Sequence, residues 1–133
     1  MRDISQEDAF YIHYIKEKFY DIAACYNFQV IEPSPIELLS TLEAKSGESI
    51  INEVYSFKDK GSRDVALRYD LTIGITRFAV SKRDMRIPLK LANFGGVFRY
   101  DEPQAGRYRY FHQWDIEIYD NFTTDAEAET IDF

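Results

Sequence analysis

The chain has 133 residues, of which 45% are hydrophobic and 16% aromatic; this excludes intrinsic disorder and fits one compact domain or part of one. A net charge of −7 and a pI near 4.8 argue against nucleic-acid or acidic-membrane binding spread over the whole surface, although a local basic patch can still serve a phosphate. The lone cysteine, Cys25, excludes an internal disulfide and a cysteine-based zinc site, and its neighbours Ala23, Ala24 and Tyr26 predict a buried, inert thiol. No apolar run approaches the roughly 20 residues of a membrane span, and the polar, acidic amino terminus is unlike a signal peptide. A cytoplasmic protein is expected.

Ser5, with Asp8 three residues on, resembles a capping box that opens a first helix. Phe10, Ile15, Phe19, Ile22 and Ala23 form its apolar stripe, which ends near Tyr26-Asn27, and His13 rides on its surface. A short strand is predicted over 28–31, a helix over 36–44 after Pro33 and Pro35, and a loop at Ser46-Gly47-Glu48-Ser49. Strands over 53–57 and 65–69 flank a polar turn, and a helix follows over 71–81 with Ile75, Phe78 and Ala79 on one side. Two longer strands, 89–100 and 110–120, enclose a polar loop. Thr124, with Glu127 at its third position, caps a last helix that meets no stop signal before Phe133, as expected of a longer protein cut short. Without regular strand–helix alternation, this order predicts an α+β fold, a mainly antiparallel sheet flanked by helices.

The loop between the long strands holds Pro103 and Gly106 among three arginines, Arg99, Arg107 and Arg109, and Gly95-Gly96 lie in the strand that feeds it. Glycines weaken a strand unless something must approach closely, so an anionic ligand is expected there. On the second strand the two-residue period puts Gln113, Asp115 and Glu117 on one face and His112, Trp114, Ile116 and Ile118 on the other. A polar face of this kind either meets solvent or lines a cavity. The arginine loop favours the cavity, because covering an amide and two carboxylates is expensive.

A second constellation, Arg68, Asp70 and Thr72, falls at a strand-to-helix junction. Capping of free amides accounts for one of these oxygens, and Thr72 is the natural candidate. If the junction opens onto the same cavity, Asp70, Gln113 and Glu117 stand opposite Arg99. The carboxylates suit an ammonium; the planar guanidinium suits a carboxylate or phosphate. That combination matches a zwitterionic amino acid beside a nucleotide phosphate.

Asp70-Leu-Thr72 and the run Phe98-Arg-Tyr-Asp-Glu-Pro-Gln-Ala-Gly-Arg-Tyr-Arg-Tyr-Phe-His-Gln-Trp-Asp-Ile-Glu117 closely resemble histidyl-tRNA synthetases, particularly their archaeal form. The long run corresponds to the second class II signature motif. Ile31-Glu-Pro-Ser-Pro35 and the helix after it look like the weaker first motif, which helps form the dimer in that family, and Tyr55-Ser-Phe-Lys-Asp59 fits the strand between them. The resemblance is strong over 65–120, weaker over 10–64 and uninformative after Thr123.

The resemblance implies that residues 1–133 are the N-terminal portion of a class II synthetase catalytic domain, with the third motif, the histidine-specific segment and the anticodon-binding domain absent. It implies that Asp70, Thr72, Arg99, Gln113 and Glu117 bind L-histidine, that Arg99 also binds the α-phosphate of ATP and is the catalytic group, and that Glu102 and Arg107 contact ATP, with Arg109 also in the loop. Mg2+ is implied only as a companion of ATP, with no dedicated metal site on the protein. The implied partners are histidine, ATP, the acceptor end of tRNA(His) and a second copy of the chain; no membrane is implied. The implied reaction activates histidine to histidyl-adenylate and passes it to tRNA, and this piece alone is expected to be inactive or very weak. Two alternatives are a catalytically silent paralogue that senses histidine, such as the regulatory subunit of ATP phosphoribosyltransferase, and a plain binding or dimerisation module.

Overall fold

The computed structural model of the chain describes residues 3–82, 84, 86–100, 102 and 104–133, so Asp101 and the loop's Pro103 lie outside the described residues. The first helix, α1 (Gln6–Cys25), begins where the Ser5 hydroxyl accepts the Asp8 amide at 3.0 Å, as the capping pattern predicts. It ends at Asn27, whose left-handed φ of 59° lets the Phe28 amide turn back to the Ala23 carbonyl at 2.8 Å. Asparagine tolerates that conformation better than most side chains.

Three strands form one sheet: β1 (Gln29–Val30) lies parallel to β5 (Leu89–Phe98), which pairs antiparallel along its whole length with β6 (Tyr110–Tyr119). A second sheet has β4 (Asp64–Leu67) between β2 (Ile36–Leu38) and β3 (Ser56–Lys58), all antiparallel. The two sheets join where the Phe98 amide donates to the Arg68 carbonyl at 2.9 Å. With α2 (Leu39–Ser46), α3 (Thr72–Ser81) and α4 (Thr124–Asp132), this is the expected α+β fold, antiparallel except for β1 against β5. Among the described residues no helix is long and apolar enough to cross a membrane.

Several local expectations are corrected. Residues 36–38 are a strand rather than the first turn of a helix, and their polar member points inward: Glu37 is 5% exposed, against 44% for Ile36 and 45% for Leu38. Burying a carboxylate demands a partner, and Arg77 of α3 supplies it through two hydrogen bonds of 2.9 and 2.8 Å. The chain over 48–52 is a 3-10 turn rather than loop, so β3 starts only at Ser56. Thr123, not Thr124, caps α4, accepting from the Ala126 amide. Cys25 is exposed, because it lies on the side of α1 away from buried Phe19 and Ala23. Phe10 and Ile15 also face outward, and Ile12 takes their place against the sheet.

Two apolar cores sandwich the β5–β6 ribbon. On one face Phe19 and Ala23 of α1 pack with Phe28, Ala92 and Phe94, joined by Ile116, Ile118 and the ring of Phe133. On the other, Leu71 and Ile75 of α3 pack with Leu89, Leu91 and Val97, joined by Phe78 and Ala79 as the helical stripe predicts. A Cβ on Gly74 would stand 2.7 Å from the Pro33 side chain, so glycine lets α3 approach the β1–β2 connection. This contact and the Arg77–Glu37 pair fix α3 and therefore the junction before it.

Candidate functional site

The β5–β6 register sets Phe111, Gln113, Asp115 and Glu117 across from Val97, Gly95, Asn93 and Leu91. Residues directly opposite share a face, and this is the α3 face. Where α3 begins, the Asp70 Oδ1 accepts the Ile73 amide at 3.2 Å. The Thr72 hydroxyl instead donates to Asp115 Oδ2 at 2.9 Å. The expected capping role of Thr72 is thus corrected. Thr72 already stands inside the first turn and reaches across to β6, while Asp70 satisfies the helix amide.

Asp70, Asp115 and Glu117 therefore form an acidic cluster at the N-terminus of α3, whose partial positive charge favours anions. That help is incomplete. Burial pushes the Asp115 carboxyl above its ordinary range and the charge of Asp70 adds to the rise, while the bond from Thr72 opposes it. Burial also raises Glu117, with the charge of Asp115 as the next cause. The side-chain oxygens Gln113 Oε1 and Asn93 Oδ1 are buried without a hydrogen-bond partner among the described residues. Such atoms normally find a donor, and this wall offers acceptors in excess. It suits a ligand with several N–H groups. No group of three or more His, Cys, Asp or Glu side chains among the described residues is arranged to hold a metal ion.

Arg99 borders the same wall. Its Nε donates to the Tyr69 carbonyl at 3.0 Å, and its guanidinium lies 5.1 Å from the centroid of Phe111, two residues before Gln113 on the same face. The bond between the Phe98 amide and the Arg68 carbonyl brings residues 69–70 beside Arg99. Asp70, Thr72, Arg99, Gln113 and Glu117 thus converge. Lys45 is an addition that the sequence did not suggest: its Nζ stands 3.4 Å from Asp70 Oδ2. Residues 45 and 70 come together only through the packing of α2 against β4, which local pattern does not encode.

The rest of the arginine loop is placed elsewhere. Arg107 and Arg109 line a cavity of about 1240 Å³ on the α1 side, with Tyr11, Ile15, His112 and Trp114, and the Arg109 guanidinium lies 4.4 Å from the centroid of Tyr100. Glu102 is exposed. His112 stacks on Phe94, and burial, followed by the charges of Lys16 and Arg68, lowers its pKa. The paired glycines make room for the chain's own side chains rather than for an anion. A Cβ on Gly95 would stand 2.6 Å from Arg68 Nη2, and one on Gly96 would strike the ring of Tyr110.

Comparison with known proteins gives this arrangement a context. The family model for histidyl-tRNA synthetase matches residues 1–133. A histidine–tRNA ligase of Pyrobaculum neutrophilum is 37% identical over 131 residues, which are 98% of this chain and 31% of that protein. One of Borrelia garinii is 41% identical over 123 residues, 90% of this chain and 27% of that protein. Among solved structures, an ATP phosphoribosyltransferase regulatory subunit/histidyl-tRNA synthetase from Bacillus halodurans superposes with a TM-score of 0.84 at 26% identity, covering 98% of this chain and 34% of that one. Apo histidyl-tRNA synthetase from S. aureus does so with a TM-score of 0.80 at 26% identity, covering 99% and 31%. The chain thus spans under a third of the length of the curated relatives described here, and it belongs to the histidyl-tRNA synthetase family.

Proposed function

We propose that this chain carries the part of a histidine–tRNA ligase active site that receives L-histidine and the α-phosphate of ATP. The observation that carries the reading is the acceptor-rich wall of Asp70, Asp115, Glu117 and Gln113 bordered by Arg99. In this reading the acids and the Gln113 carbonyl take the N–H groups of histidine. Arg99 draws the substrate carboxylate and the α-phosphate together, and its planar fork suits both. The carboxylate oxygen attacks the α-phosphorus in line and pyrophosphate leaves; the terminal hydroxyl of tRNA(His) then takes the histidyl group from the adenylate, and AMP leaves. Such a step needs positioning and charge stabilisation rather than a protein nucleophile. Mg2+ enters with the ATP phosphates, and Glu102 and Arg107 belong to a loop that reaches the nucleotide when it is bound.

The dimer expected at the first motif is part of the same reading. Its support is the outward apolar side chains of that region, where Ile36 is 44% exposed and Leu38 45%. The cytoplasm is the expected compartment.

A regulatory reading has one observation in its favour, the double name of the Bacillus halodurans structure. Calorimetry of this chain with histidine, ATP and a non-hydrolysable histidyl-adenylate mimic separates the two. The ligase reading predicts that the mimic binds more tightly than either component. Binding of free histidine with no gain from the adenylate portion would assign the chain to histidine sensing, and binding of neither would leave a scaffold.

A further inference from the structure

The cluster of three carboxylates already contains one cation. Lys45 belongs to the last turn of α2, and its neighbour Ser46 pairs with the Tyr69 hydroxyl, so the end of this helix is fastened to the residue before Asp70. Asp70 accepts the Ile73 amide on Oδ1 and the Lys45 ammonium on Oδ2. The two side chains differ in freedom: that of Lys45 is 47% exposed and that of Asp70 18%. Gly47 follows at φ +80° with nothing within 4 Å of where its Cβ would stand.

Resting on the proposed function, we infer that Lys45 is a resident counter-cation of the amino-acid pocket: it neutralises Asp70 until the ammonium of the incoming amino acid displaces it into solvent. A ligand ammonium seated between Asp70 and Asp115 competes for Asp70 Oδ2, and two ammonium groups on one oxygen repel. The lysine can leave without losing hydration, because its long stem already reaches water; Asp70, capped onto α3, stays. The lysine keeps an acid-rich pocket from rejecting its own charge when empty, at a cost in affinity. It also sets a specificity threshold, since a ligand without an ammonium cannot take its place.

The test compares the chain with Lys45→Met and Lys45→Arg, using carboxyl-detected NMR titration of Asp115 and Glu117 and calorimetry with L-histidine and 3-(imidazol-4-yl)propionate, which lacks the ammonium. Lys45→Met should raise both carboxyl pKa values and tighten histidine about threefold, the scale of a part-exposed ion pair. It should leave the propionate unchanged, and Lys45→Arg should restore the parent behaviour. Carboxyl titrations that ignore Lys45→Met overturn the inference whatever the ligands do. Weaker histidine binding in Lys45→Met, with histidine still preferred over the propionate, makes Lys45 a positioning residue; this overturns displacement and leaves the proposed function standing. If histidine is not preferred over the propionate in any of the three proteins, both fall.

Discussion

The two faces of the β5–β6 ribbon are built from the same twenty residues of strand and serve opposite ends. The face toward α1 is filled over part of its length by aromatic and aliphatic side chains, with Phe19 and Ala23 fully buried and Phe133 packed against Phe28 with ring centroids 5.2 Å apart. The face toward α3 starts as an equally apolar core at Leu71, Ile75 and Leu91 and gives way to Asp115, Glu117 and Gln113. The first face supplies stability through buried area. The second holds carboxylates whose protonation is made easier by burial and by one another. The difference teaches that alternation along a single strand lets a stable scaffold present a destabilised surface, and such a surface is improved by a cationic ligand.

The largest effects should separate the faces. Phe19→Ala removes a fully buried ring from the α1 side and should cost about 3–5 kcal/mol of stability, measured by urea unfolding. Arg99→Ala, on the other side, should barely move the melting temperature yet weaken the adenylate mimic by about 2.7–4 kcal/mol, the typical loss of one preorganised donor. Less than a tenfold loss, roughly 1.4 kcal/mol, would remove Arg99 from its proposed role.

Glu117→Gln should trade one property for the other. A carboxyl whose pKa is raised by folding takes up protons more readily in the folded state, so its contribution is present below the unfolded pKa and lost as pH rises through the folded one. The variant lacks this loss. Its melting temperature should exceed that of the parent at neutral pH, and the two curves should converge on acidification. Its histidine affinity should drop, and parental affinity should likewise weaken as Asp115 and Glu117 protonate, at a pH above the ordinary carboxylate range. Thr72→Val should give the smallest effect, about 1 kcal/mol in histidine binding, because it deletes one hydrogen bond to Asp115. An unchanged affinity would show that this bond does not orient the acid.

Much of this was legible from residues. The period of two placed Gln113, Asp115 and Glu117 on one face of β6, and the stripe of Ile75, Phe78 and Ala79 gave the buried side of α3. What stayed hidden depends on contacts distant in sequence. Glu37 is buried because Arg77, forty residues on, meets it, so the alternation Ile36-Glu37-Leu38 reads inside out. Gly95 and Gly96 yield space to Arg68 and Tyr110, a tertiary reason that no local rule separates from ligand approach. Lys45 reaches Asp70 across an intervening 3-10 turn and two strands.

The most direct test of the acidic wall is a paired titration of this chain with the histidyl-adenylate mimic and its des-amino counterpart, repeated in Asp115→Asn. The mimic should bind at least about tenfold more tightly than the counterpart, roughly 1.4 kcal/mol, and that preference should shrink in the variant. Equal affinities for the two ligands, or a preference untouched by Asp115→Asn, would contradict an ammonium site on this face of the sheet.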